Sequence, residues 1–600
     1  MINLDPQRAR WIRLRMAILC LVMLASLGGV LFAAYRVQIL EGGEWRESAE
    51  KQRQRRLHID PKRGAIYDRN GATLAASVEV PSASIDAAEM LRTVDTASQP
   101  EFLVYAAGRL GQVLSLNANE LATKLANKTR FTWLKRRIST DEVTALRALS
   151  DSKREAKPIR GISIEGEGRR YYPARELAAQ LLGFVAPDGF GKDGLELSLD
   201  DEFRGHAEEL KGLRDRGGRL IFSEGSANEE SLKGHDVYLT IDSAIQHLAE
   251  HEIDAARQTY EAKSAMIVVV DPNTGEILAL ASTPGFNPND YNVSEVESRR
   301  NRVISDRFEP GSVMKVFTMA SAIAAGKISL SDSIFCEEGA IRLGSVTIHD
   351  THAHGWLSPT EVLVKSSNIG ALKIGLTLGE PALYAGLRRF GFAEATGLPL
   401  PGEASGVLRP RARPWFDIET ANASFGQGVS VTTMQLAMAM AAIANGGRLL
   451  EPVLVHKVVD GHGAIVREGG VHLRRQAVPP GVARTVAQML TGVVELGGTG
   501  TEAAITGFRV AGKTGTAQKA DPVTGRYASN RFTSSFVGFV PVVRPRLVIA
   551  VIIDDPVIGH FGGDLAGPVF RRVGEGALRY LGVTSHEVSM RAQPPKGPTQ

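Results

Sequence analysis

A chain of 600 residues is longer than one hydrophobic core usually organises, so two or more folded domains are expected. Hydrophobic residues make up 43% and charged residues 23%, a balance that excludes both extended disorder and a multi-span membrane protein. The formal net charge of +4 is small, and the basic residues are dispersed rather than interleaved with aromatics, so no nucleic-acid partner is indicated.

In chain order, the first element is the uncharged run MAILCLVMLASLGGVLFAAY at 16–35. As a helix it reaches about 30 Å, the thickness of one hydrocarbon core. It exceeds the usual core of a cleaved signal peptide, so an uncleaved anchor over 16–36 behind a tail of residues 1–15 is expected. Arginines and lysines flank both ends, and charge counting alone does not orient it. A large C-terminal domain translocates regardless of such charges, which favours a short cytoplasmic N-terminus.

Next, Asn70-Gly71 separates two short runs, 65–67 and 72–76, and predicts a hairpin with positive φ at Gly71. Residues 85–160 read as mixed, largely helical scaffold. The stretch 214–236 reads as a loop and carries the domain boundary, giving an N-terminal domain over 37–235 and a second over 236–582. Beyond it, VYLTID predicts a strand, 243–260 an amphipathic helix, and 264–282 two apolar strands around Pro272-Asn273-Thr274-Gly275. FRVAGKTGTAQ, TSSFVGFVP and RLVIAVIIDDP supply three more strands before a helix over 567–580. This pattern is α+β, with a central antiparallel sheet flanked by helices. Residues 583–600 end in the proline-rich RAQPPKGPTQ and are expected to be disordered.

Cys20 lies inside the apolar run and Cys336 far from it, so no disulfide framework exists, and no cysteine-protease signature surrounds Cys336. No G-x-x-x-x-G-K-[ST] loop occurs, which argues against ATP chemistry.

Three short motifs carry chemistry. In EPGSVMKVFTMASAIAAG (309–326), Ser312 and Lys315 stand three apart where a helix is expected to begin, on one face and one turn apart. A serine hydroxyl needs a base, and a lysine serves only when neutral. Its pKa must then fall from about 10.4 to near neutrality, about 4 kcal/mol, which burial and a second cation can supply. The spacing alone is weak, since Ser150 and Lys153 repeat it in a polar run. Ser366 and Asn368 form the second motif, and that spacing recurs at Ser115/Asn117 and Ser226/Asn228, where capping or a turn is the plain reading. In the third, VAGKTGTAQ, Lys513 is suited to a carboxylate and Gly515 to close approach of a substrate backbone.

The order Ser312-x-x-Lys315, Ser366-x-Asn368, Lys513-Thr514-Gly515 is the trio of penicillin-binding proteins and class A β-lactamases. RGAIYDRNG (63–71), RRYYPARELAAQLLG (169–183), GLE (194–196), SFGQGVSVTTMQLA (424–437) and GGDLAGPVF (562–570) extend the likeness over nearly the whole chain, which resembles the class B penicillin-binding proteins. The short connection from KTGT to FTSSFVGF and the IDDP with a later FGG look like the division (FtsI-like) type more than the elongation type. The stretch DDEFRGHAEELKGLRDRGG keeps only a loose likeness.

The resemblance implies a penicillin-binding/β-lactamase-like transpeptidase domain on an elongated pedestal, anchored by one helix in the bacterial cytoplasmic membrane with the catalytic domain outside. It implies that Ser312 is the nucleophile and Lys315 its base, that Ser366 relays a proton, and that Asn368 orients Lys315. Lys513, Thr514 and Thr516 would hold the terminal carboxylate of a D-Ala-D-Ala stem peptide, and the N–H groups of Ser312 and Thr516 the oxyanion. β-Lactams would acylate the same serine, an amine of a neighbouring stem peptide would resolve the ester, and a SEDS-type membrane polymerase and divisome proteins would be partners. No cofactor is implied. His349, Asp350, His352 and His354 are residue types that ligate zinc, but they are read as a polar loop near the cleft, with no metal. A β-lactamase, an elongation-type enzyme and a β-lactam sensor or scaffold without turnover are the rival readings. Nothing before Ser312 resembles a glycosyltransferase domain.

Overall fold

Every residue from Ser264 to Val270 is buried, and successive side chains go to opposite sides of a sheet. This comes from a computed structural model describing residues 6–41, 43, 54–59, 62–92, 94–127, 129, 131–205, 208–214, 220–224, 233–410, 413–521 and 526–584. The strand Ser264–Val270 (β1) follows the helix Ser243–Thr259 (α1) and pairs antiparallel with Ile277–Thr283 (β2). The elements that matter for the site then come in the order Met314–Ala324 (α2), Asn368–Leu378 (α3), Thr433–Ala444 (α4), Ala511–Ala520 (β3), Tyr527–Val540 (β4), Leu547–Asp554 (β5) and Gly567–Tyr580 (α5). The sheet has the order β2-β1-β5-β4-β3, antiparallel throughout, with β3 at one edge.

Ala265, Ile267 and Val269 share a core with Ile245 and Ile253 of α1 and Val569 and Phe570 of α5. Met266, Val268 and Val270 share another with Phe317 of α2, Leu372 of α3 and Met434 of α4. A strand buried on both faces reads as an unbroken apolar run, which is why 264–270 shows no alternation. Phe317 packs on Phe390 and Phe392 with ring centroids 5.0 Å apart in both pairs. Emptying such a site costs about 3–5 kcal/mol, so this contact holds α2 firmly in place.

The chain divides into two compact units, Met1–Pro61 with His206–Lys233, and Lys62–Gly205 with Gly234–Gln600. The first contains an α-helix, Pro6–Tyr35, running into a π-helical turn at Arg36–Leu40, long and apolar enough over Arg10–Leu40 to cross a membrane. It starts ahead of the expected 16, with proline at its first position, where the missing N–H costs nothing. Strands Gln54–Ile59, Glu208–Arg214 and Leu220–Glu224 form an antiparallel sheet in the same unit. Part of the expected loop over 214–236 is therefore strand.

In the second unit, Ile66–Tyr67 and Thr73–Ile85 form the expected hairpin, with Gly71 at φ +86. Asp236–Leu239 runs parallel to Ile66–Tyr67 and antiparallel to Val455–Val459, so one sheet draws strands from both sides of residue 236. Three of the motif stretches meet beside it in a buried charge network. Arg63 Nε and Arg170 Nε donate to opposite oxygens of the fully buried Glu196 at 2.7 and 2.6 Å, and Tyr172 donates to Oε1 at 3.3 Å. Arg63 also bridges to Asp200 at 2.5 Å, and both guanidiniums lie over the Phe203 ring. Residues 585–600, including the proline-rich end, lie outside the described residues, as do Ser226 and Asn228.

Candidate active site

Ser312 sits in a 3₁₀ turn, Gly311–Val313, that feeds α2, so the regular helix begins at Met314 rather than at Pro310-Gly311. Lys315 follows one turn on and is 1% exposed, while Ser312 is half-buried. The turn is pressed against β3. A Cβ on Gly515 would lie 2.9 Å from the Pro310 carbonyl, 3.0 Å from Val313 Cγ2 and 2.3 Å from Ser535 Oγ. The missing side chain at Gly515 thus lets the serine turn and the neighbouring strand come close to β3.

Between Pro359–Val364 and α3 the chain reverses through Lys365, Ser366 and Ser367. Ser366 lies at φ +57, the left-handed region that non-glycine residues rarely enter, and holding it there costs roughly 1–3 kcal/mol. The conformation turns both its carbonyl and its hydroxyl toward lysines. Lys315 Nζ donates to Ser366 O at 2.6 Å, to Asn368 Oδ1 at 2.8 Å and to Ser366 Oγ at 3.3 Å. From the other side, Lys513 Nζ, on β3, donates to Ser366 Oγ at 2.9 Å and to Thr514 O at 3.2 Å. All three motifs therefore meet around one serine hydroxyl.

Burial pushes the Lys315 amine down to about 7, against the opposing pull of the Asp350 carboxylate. Burial and the charge of Lys315 hold Lys513 well below the ordinary lysine range. Taking an ammonium out of water is costly, and a second beside it more so, so the pocket favours at least one neutral amine. Beside them Thr514 and Thr499 share a hydroxyl hydrogen bond of 2.9 Å, and Thr516 Oγ1 accepts the Gly562 N–H at 3.1 Å.

The look-alike spacings lie elsewhere. Ser150 ends a helix and donates back to Leu146 O at 3.3 Å, with Lys153 exposed. Ser115 closes Gln99–Leu114, and Asn117 caps Ala118–Ala126. One residue of the site escaped the sequence reading in this role: Asp350, read there as part of a polar histidine loop, caps the N-terminus of α3. Its Oδ1 accepts the N–H groups of Asn368 and Ile369, and its Oδ2 the Ser367 hydroxyl at 2.6 Å. Its only sequence signal is an acidic residue ahead of Ser-x-Asn, and nothing local reveals which helix it faces.

A fold with this sheet and these three motifs around one buried lysine pair defines a serine acyl-transfer enzyme of the transpeptidase type. The penicillin binding protein transpeptidase domain matches residues 265–575, and the penicillin-binding protein dimerisation domain residues 58–239. The probable peptidoglycan D,D-transpeptidase PenA of Neisseria meningitidis is 34% identical over 573 residues, covering 95% of this chain and 93% of that protein. The peptidoglycan D,D-transpeptidase FtsI of Escherichia coli is 34% identical over 585 residues, covering 96% and 94%. Crystalline penicillin binding protein 3 of Mycobacterium tuberculosis, complexed with aztreonam, superposes with a TM-score of 0.65 at 27% identity, covering 88% of this chain and 98% of that one. The chain belongs to the class B penicillin-binding protein transpeptidase family.

Proposed function

We propose that this protein is a peptidoglycan D,D-transpeptidase that cross-links stem peptides through a Ser312 acyl-enzyme during septal wall synthesis. The observation that carries the reading is the pair of buried lysines sharing the Ser366 hydroxyl, one of which, Lys315, lies one helical turn beyond Ser312. Neutral Lys315 accepts the Ser312 proton as Oγ attacks the carbonyl of the penultimate D-alanine. The N–H groups of Ser312 and Thr516 hold the oxyanion. Ser366 relays the proton that Lys315 took to the departing amine, so the peptide bond breaks, the terminal D-alanine leaves, and Lys315 and Ser366 return to their starting protonation states. Lys513, Thr514 and Thr516 receive its carboxylate, and an arriving carboxylate favours the charged form of Lys513. Asn368 orients Lys315. An acceptor amine then attacks the ester, Lys315 takes its proton, and Ser312 leaves as the free hydroxyl. A β-lactam acylates Ser312 by the first half of this route.

The reading assigns 1–15 to a cytoplasmic tail, 16–36 to a single anchor in the cytoplasmic membrane, 37–235 to a pedestal and 236–582 to an extracytoplasmic transpeptidase domain. The apolar N-terminal helix and the PenA and FtsI relatives support it. The septal role rests on the FtsI-like sequence around residues 513–563. With it come a SEDS-type polymerase that supplies glycan strands and divisome proteins as partners. Incubation with a D-Ala-D-Ala stem pentapeptide and an amine acceptor tests the activity: release of D-alanine with cross-linked dimer, both absent in Ser312→Ala, is expected. Penicillin labelling without any dimer would instead mark a sensor.

A further inference from the structure

Asp350 follows the strand Val346–His349, outside the three motifs, yet its carboxylate engages three successive residues of the Ser-x-Asn segment. The Ser367 hydroxyl that it receives also accepts the Gly370 N–H at 2.8 Å, so carboxylate and hydroxyl together satisfy the first free N–H groups of α3. Those contacts fix the backbone immediately after the left-handed Ser366 and set the direction of Asn368, whose Nδ2 is held by His349 O at 2.9 Å while its Oδ1 receives Lys315.

We infer that Asp350 is a positioning residue for acylation, locking the Ser366–Asn368 turn in the arrangement that Lys315 and Lys513 require. The inference rests on the reading of Ser312 as nucleophile and Lys315 as base. The charged and titratable groups around the turn are Lys365 within it, whose amine donates to Gly497 O at 3.1 Å, Lys315 and Lys513 from the facing helix and strand, Cys336 beside Ser367, the Lys373–Glu337 pair and His349. Asp350 pulls Lys315 upward while burial pushes it down, so removing its charge has a defined sign.

The test is the acylation rate of the full-length protein with fluorescent penicillin, followed across neutral pH. In the wild type the rate is expected to rise with pH about a midpoint near 7, as Lys315 loses its proton. Asp350→Asn is expected to lower the plateau about tenfold and move the rise to lower pH, because protonated Lys315 has lost a counter-charge. Ser367→Ala, which keeps the carboxylate, is expected to lower the plateau and leave the midpoint in place. Thermal melts establish that each variant is folded. A folded Asp350→Asn protein with the wild-type plateau, or with the rise at the wild-type pH, overturns the inference. If that variant does not fold, a wild-type plateau in Ser367→Ala does so. Labelling that survives in Ser312→Ala strikes the underlying reading instead, so the two failures are distinguishable.

Discussion

Lys315 and Lys513 direct their amines at a single hydroxyl, with Nζ atoms 3.3 and 2.9 Å from Ser366 Oγ. Both side chains are buried, at 1% and 0% exposure. Two full ammonium charges in that space would repel each other with little water to screen them. The arrangement therefore keeps a neutral amine next to the serine turn at physiological pH, the condition a lysine must meet to act as a base.

The acylation rate should follow the neutral fraction of Lys315. With the amine near 7, protonation removes the base as pH falls, so the second-order rate of penicillin acylation drops about tenfold per pH unit below the midpoint and levels off above it. Stopped-flow or gel-based labelling over a pH series checks this. A rate that falls as pH rises through neutrality would have the wrong sign.

Lys513→Ala should weaken productive binding of carboxylate-bearing ligands. Losing one partner of a buried charged contact costs about 2–5 kcal/mol, so kcat/KM for a D-Ala-D-Ala donor is expected to fall about 10²-fold or more. Comparison with a donor whose terminal carboxylate is amidated should show little further loss in the variant.

Gly515→Ala places a methyl against the Pro310 carbonyl and Val313, behind the nucleophile. The serine turn must shift, and a displacement of even 1 Å costs about 10²-fold in rate. Acylation should fall by that order, while the melting temperature drops modestly, since overpacking costs about 1–3 kcal/mol.

Glu196→Gln acts on the fold rather than the chemistry. It leaves Arg63 and Arg170 buried without their shared carboxylate and is expected to destabilise by about 3–5 kcal/mol. Thermal unfolding should show the loss, with penicillin labelling per folded molecule retained at low temperature.

Much of this architecture was legible in the chain because its signals are local. The runs 264–270, 277–283 and 547–554 are apolar enough to be buried strands and nothing else of that length. Asn70-Gly71 announced its hairpin for the same reason. Spacing alone, by contrast, did not separate Ser312 and Lys315 from Ser150 and Lys153. The apolar helix after the first pair and the polar run around the second made the difference, and the structure puts one pair in the lysine pocket and the other at an exposed helix end.

What stayed hidden depends on contacts between distant residues. Asp350 reaches a helix beginning at Asn368, and Glu196 joins residues 63 and 170, pairings that leave no period along the chain. Strand Leu220–Glu224 reads as loop because it is short and set among glycines and charged residues, and only its pairing with Glu208–Arg214, itself paired with the distant Gln54–Ile59, makes it a strand. Likewise, only the fold shows that Pro310 and Val313 fill the space that a Cβ on Gly515 would take.

Ser312, next to this lysine pocket, is the residue expected to form the acyl-enzyme. Peptide mapping by mass spectrometry after exposure to benzylpenicillin tests it most directly. One penicilloyl adduct is expected, on the peptide containing Ser312, lost in Ser312→Ala and strongly reduced in Lys315→Ala. An adduct on any other residue, or full acylation of the Lys315→Ala protein at neutral pH, would contradict it.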